Sequence, residues 1–178
     1  IALDAGLPAG ALAIVPGLGE EAGAALSSHR GVAHLSFTGS VAVGQLIQTA
    51  AAQNTIPVTL ELGGKSPQLV FDDAPDVDRL ADIIAGAITG NAGQVCVAGS
   101  RLIVQRGIAD ALMERLAQRF AALRPGATWD AQATLSPIIS APQAARILDI
   151  MERSRVAGAQ VRSGGGLFEG GPGGAYFQ

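Results

Sequence analysis

A chain of 178 residues, 48% hydrophobic, 15% charged and only 4% aromatic, has length for one domain or parts of two and must build its core from Ala, Val, Leu and Ile. Its net charge of −3, with Lys and Arg scattered, argues against a nucleic-acid partner, and no apolar run reaches the roughly 18 residues of a membrane span. The single cysteine rules out an internal disulfide and fits a reducing compartment, and its distance in sequence from the two histidines, His29 and His34, leaves no metal-ligand spacing.

In chain order, residues 11–15 (ALAIV) form an apolar run closed by Pro16-Gly17, the pattern of a buried strand and turn. Residues 20–29 predict a helix with acids in its first turn. Residues 32–38 (VAHLSFT) predict a strand. Ser40 is placed to cap a helix over 41–53 that buries Val43, Leu46, Ile47 and Ala50. Residues 57–62 (PVTLEL) complete a strand-helix-strand alternation, which implies a parallel sheet.

After Gly63-Gly64 the pattern restarts, so a boundary is expected near residues 60–64. A strand is predicted over 68–71, then a helix over 76–88 with Leu80, Ile83, Ile84 and Ala87 on one side. Residues 91–99 read as a small-residue loop carrying Cys96, followed by a strand at 101–105 and an amphipathic helix at 108–123 whose wet face carries Arg115 to Arg124. A further helix is expected over 141–157, and a glycine-rich surface loop over 163–174. The start lacks Met, a basic region and a signal-peptide shape, and the end stops in an apolar stretch. Both ends are expected to be cut, making the chain a fragment.

Three segments carry chemistry. In NAGQVCVAGSR, Cys96 lies between helix and strand, where a thiol open to substrate serves as a nucleophile and its own amide as an oxyanion donor. The bland alternative is an inert cysteine buried between Val95 and Val97. In ELGGKSP, Glu61 ends a parallel strand, where α/β proteins gather ligands and a carboxylate is able to act as general base. The alternative is a solvated or Lys-paired glutamate. In FTGSVAVG, Gly39 permits a tight turn into a helix whose free amides suit a phosphate, although the full dinucleotide glycine spacing is missing. A plain capped helix explains that segment equally well.

Taken together, FTGS at 37–40, LELGGKSP at 60–67 and GQVCVAGSR at 93–101 resemble the aldehyde dehydrogenase superfamily in content, order and separation, with 35 positions from Glu61 to Cys96. IVPG at 14–17 and the closing GGG and YFQ fit as well, so the resemblance runs over essentially the whole chain. It implies an α/β fold of three-layer, parallel-sheet, Rossmann-like type, incomplete here. Residues 1–61 would be the second half of the NAD(P)-binding domain and 62–178 the first part of the cysteine-bearing catalytic domain.

The resemblance also implies roles. Cys96 would attack an aldehyde, giving a thiohemiacetal and then a thioester, with NAD or NADP as oxidant; Glu61 would activate the hydrolytic water. Gly39, Ser40 and Gly44 would lie at the pyrophosphate, Gly17 and Val43 beside the adenine, and the backbone of Leu62 and Gly63 beside the nicotinamide. The implied partners are a small-molecule aldehyde and, for the full-length enzyme, further copies of itself, with no nucleic acid, membrane or metal, in a cytoplasmic setting. The family's oxyanion Asn and its ribose-binding residues lie outside the matching span, so the chain alone is expected to be inactive. Two alternatives stand beside this reading: a non-enzymatic remnant needing self-association or a partner to fold, and thioester hydrolysis or acyl transfer by Cys96 and Glu61 without NAD.

Overall fold

A computed structural model describes residues 1–168 and 173–177. The chain divides into two compact units, Ile1–Gly63 and Gly64–Gln178. The elements of the first are a π-helical turn at Gly19–Gly23 running into α1 (Ala24–Ser27), then β1 (Leu35–Gly39), α2 (Val41–Ala52) and β2 (Val58–Leu62). The second holds β3 (Pro67–Val70), α3 (Val77–Thr89), a short turn at Gly90–Gly93, β4 (Arg101–Val104), α4 (Arg106–Ala121) and α5 (Ala141–Val156). Among the described residues, no helix is long and apolar enough to cross a membrane.

In the first unit β1 and β2 pair in parallel, from Leu35 opposite Val58 to Gly39 opposite Leu62. Alternation puts Leu35, Phe37, Leu60 and Leu62 on the half-buried side and Ser36, Thr38, Thr59 and Glu61 on the open side. The strand starts at Leu35 rather than Val32 because the Val32 amide is spent in a turn, donating to the His29 carbonyl at 3.1 Å. The strand expected at 11–15 does not form. Its side chains are exposed, Ile14 at 83%, and among the described residues no strand pairs with it. The packing face of α2 also departs from expectation. Gly44 and Ala51 are buried, whereas Leu46 is 70% exposed and Val43 is exposed too. Small residues win that face because they let the helix backbone approach the sheet closely.

α2 ends on a left-handed residue, Thr55, with φ 57°. The amides of Thr55 and Ile56 donate back to the Ala52 and Ala51 carbonyls at 3.2 and 3.0 Å, a Schellman turn, and Ile56 and Ala51 are both buried beside it. The turn leads straight into β2.

In the second unit β3 and β4 are parallel, Pro67 opposite Arg101 through Val70 opposite Val104. The core joins Val70 with Ala81, Ile84 and Ala85 of α3 and with Ile108, Leu112 and Leu116 of α4, the last three at the four-residue spacing of one helix face. Ile83 is 58% exposed and Ala87 also faces out, so the buried stripe of α3 lies one position away from the expected one. Asp76 caps α3, accepting from the Arg79 amide at 3.0 Å, and Ser140 caps α5. Arg115 and Arg119 pair with Asp78, and Arg119 also donates to Asp82 at 2.5 Å; that hydrogen bond raises the Arg119 guanidinium above its ordinary range. Of the glycine-rich loop expected at 163–174, residues 169–172 lie outside the described residues; the remainder is irregular, with Leu167 bridged to Phe177 and Ala175 to Ile138.

Candidate active site

Within the first unit, one set of candidate residues gathers at the carboxyl ends of the parallel strands. In register, Thr38 faces Glu61 and Gly39 faces Leu62. Ser40 follows directly and caps α2: its Oγ accepts from the Val43 amide at 3.3 Å, and its carbonyl accepts from the Gly44 amide at 2.9 Å. The amides of Val41 and Ala42 therefore head a twelve-residue helix with no intrahelical acceptor. Glu61 is exposed on the open side of β2, and a Cβ added at Gly63 meets nothing within 4 Å.

Three other candidates in this unit are placed differently. Gly44 is buried under α2, and a Cβ there would lie 2.8 Å from Leu62 Cδ2 and 3.7 Å from Leu60 Cδ1. Its place in the fold is to seat α2 on β2, since a side chain there would hold the helix off the strand. Val43 projects into the open, one turn along the helix. Gly17 lies against the π-helical turn, its added Cβ being 2.8 Å from Ala22 Cβ.

Cys96 belongs to the second unit. It is a free, exposed thiol in a turn closed by the Ala98 amide donating to the Val95 carbonyl at 3.1 Å. The expectation of a loop between α3 and β4 is met, and the alternative of a buried thiol is not. The backbone leading to Cys96 is unusual. Asn91, Ala92 and Gly93 are consecutively left-handed, with φ of 51°, 52° and 73°. For Asn91 such a conformation is tolerated; for Ala92 it costs about 1–2 kcal/mol and persists only where surrounding contacts over-determine it.

Those contacts are on hand. The Gln94 carboxamide donates to the Asn91 and Pro137 carbonyls, both at 3.1 Å, and accepts from the Ile139 amide at 2.9 Å. Beyond the thiol, the Gly99 amide donates to the Ala87 carbonyl at 3.0 Å, and Gln68 Nε2 donates to the Gly99 carbonyl at 2.9 Å. A Cβ on Gly99 would collide with that Gln68 side chain. One on Gly64 would lie 3.3 Å from the Cys96 carbonyl oxygen. Arg101 ties the end of the loop down, its Nε donating to the Lys65 carbonyl at 2.8 Å. The contacts of Gln94 and Gln68 were not foreseen from sequence; for Gln94 a long carboxamide among small residues was the available signal, and for Gln68, inside an apolar strand, there was none.

Comparison with known proteins gives a consistent picture. The family model described as "Aldehyde dehydrogenase family" matches residues 1–178. The chain is 44% identical over 163 residues to aldehyde dehydrogenase family 2 member C4 of Arabidopsis thaliana, covering 91% of this chain and 32% of that protein. It is 44% identical over 162 residues to the peroxisomal aminoaldehyde dehydrogenase 2 of Malus domestica, again covering 91% and 32%. The crystal structure of an NAD-dependent aldehyde dehydrogenase from Sinorhizobium meliloti superposes with a TM-score of 0.92 at 40% identity, over 99% of this chain and 34% of that one. The chain thus spans about a third of the length of the relatives it matches.

Proposed function

The chain belongs to the aldehyde dehydrogenase family, and from that premise we propose that it supplies the nucleophile, the base and part of the cofactor cradle of a longer NAD(P)-dependent enzyme that oxidises an aldehyde to a carboxylic acid. The observation that carries this reading is the exposure of the chain's one thiol, in the turn where the family resemblance puts the nucleophile.

The end of β1–β2 suits a dinucleotide. Two open amides at a helix start, beside Gly39 and the hydroxyl of Ser40, match a pyrophosphate in charge and donor geometry. Gly17 and Val43 would flank the adenine, the backbone of Leu62 and Gly63 the nicotinamide, and Gly44 would contribute by seating the helix. NAD(P), when bound, supplies the hydride acceptor.

The chain's own residues do the rest. The Cys96 sulfur, as thiolate, attacks the carbonyl carbon and forms a C–S bond, and the Cys96 amide is a candidate donor to the oxyanion. Loss of hydride from that carbon leaves a thioester on Cys96. Glu61 then takes a proton from water, whose oxygen attacks the thioester; the C–S bond breaks, the acid leaves and the thiol is restored. A reducing compartment such as the cytoplasm keeps that thiol available, and the whole enzyme is read as an assembly of identical copies.

The test follows reduced nicotinamide by absorbance with a panel of aldehydes. In the longer polypeptide, Cys96→Ala is expected to abolish turnover, and undiminished turnover would refute the assignment. The 178-residue chain by itself is expected to show little or none; robust turnover lost in Cys96→Ser would overturn that expectation. One observation favours a second reading, a non-catalytic product stabilised by association: Leu12, Ile14, Val15 and Leu46 all stand exposed in the first unit. Gel filtration separates the readings, since a folded monomer at micromolar concentration contradicts the second.

A further inference from the structure

We propose that Gln94 is the positioning residue of Cys96: its side chain clamps the left-handed turn at Asn91–Gly93 to the segment Pro137–Ile139 and so fixes the turn that presents the thiol. The proposal rests on the reading of Cys96 as nucleophile.

The chemistry of the side chain carries the argument. A carboxamide has two N–H donors and an acceptor oxygen on one planar group. In Gln94 the nitrogen serves carbonyls on both sides, Asn91 within the turn and Pro137 across 43 residues, while the oxygen accepts the Ile139 amide across 45 residues. The turn is closed twice more, by the Gln94 backbone amide donating to the Asn91 carbonyl at 3.1 Å and by the Asn91 side chain, whose Nδ2 donates to the Gln94 carbonyl at 3.3 Å. Asn91 and Ala92 hold positive φ only under such constraint. Cys96 lies two residues beyond Gln94, and its side chain is exposed, so little side-chain packing holds it. Its position is inherited from the backbone that Gln94 pins. No other natural side chain of this length offers both donors and the acceptor: Glu keeps the acceptor and Met keeps only the shape.

The test uses Gln94→Met and Gln94→Glu in the full-length polypeptide. Displacing a reacting group by an ångström costs on the order of 10²-fold in rate, so Gln94→Met is expected to lower kcat about 10–100-fold while KM for NAD(P) stays within about twofold. Amide hydrogen exchange at Ile139 is expected to quicken at least about tenfold, the loss of one hydrogen-bonded protection, with amides of α4 around Leu112 unchanged. Gln94→Glu retains the Ile139 acceptor and should keep that amide protected. Its kcat should recover relative to the parent as pH falls, because a protonated carboxyl regains one donor. Unchanged exchange at Ile139 in Gln94→Met overturns the clamp, and quickened exchange with kcat within twofold overturns the positioning role. Should Gln94→Met fail to fold, the pH profile of Gln94→Glu decides, a profile parallel to the parent's being the adverse result. Failure of the nucleophile reading shows separately, as turnover that survives Cys96→Ala.

Discussion

Two neighbouring substitutions before the thiol should move stability in opposite directions. Gly93 has φ 73°, and a Cβ there would stand 3.1 Å from the Ile88 carbonyl oxygen, a backbone atom at the end of α3 that cannot swing aside. Gly93→Ala therefore incurs the left-handed penalty of about 1–2 kcal/mol plus that contact, and regains about 0.5–1 kcal/mol by restricting the unfolded chain. The net expectation is destabilisation by about 1–2 kcal/mol. Ala92, with φ 52°, already carries the penalty. Ala92→Gly removes it and gives back the unfolded-state entropy, for a net gain of about 0.5–1 kcal/mol. Equilibrium urea unfolding followed by far-UV circular dichroism reads both, with the slope checked for constancy so that the midpoint reports stability. A loop that merely tolerates change would show two small shifts of one sign. Ala92→Gly destabilising, or Gly93→Ala neutral, refutes the claim that this turn is strained and held.

The same logic applies at the end of α2, where Thr55→Gly is expected to stabilise by about 0.5–1 kcal/mol, since a β-branched residue sits at the left-handed position of a Schellman turn; a lower urea midpoint contradicts it. Leu112 is completely buried between α3 and the β3–β4 pair, so Leu112→Ala is expected to cost about 2–5 kcal/mol. A thermal-unfolding midpoint shifted by under about 3 °C would show that the core collapses onto the void.

Strands β1 and β2 and the helix between them were readable because LSFTGS and VTLEL combine alternating apolar residues with a serine cap, and each signal is local. The strand at 11–15 was not, since ALAIV is apolar enough for a strand but a strand exists only by pairing, and composition carries no pairing information. Helix faces misled for a related reason. In VAVGQLIQTAAA nearly every side is apolar, so periodicity does not choose the one that meets the sheet; Gly44 and Ala51 choose it by being small. In α3 the buried stripe runs through Ala81, Ile84 and Ala85, and Ile83 is large yet outside it. At the site, Cys96, Glu61 and the Gly39-Ser40 turn became candidates through their joint order and spacing, since each segment alone is explained as well or better by a plain structural role. What holds the thiol's turn was not legible, because Gln94 acts on Pro137 and Ile139, far along the chain.

The central claim, that Cys96 forms the bond to substrate and Glu61 releases it, is tested most directly by intact-protein mass after rapid quenching of the full-length Glu61→Gln variant with aldehyde and NAD(P). A mass increase of one acyl group, mapped to the peptide that carries Cys96 and missing in the double variant with Cys96→Ala, is the predicted result. Steady turnover in Glu61→Gln at the parent's rate, or an acyl group mapped to any other residue, contradicts it.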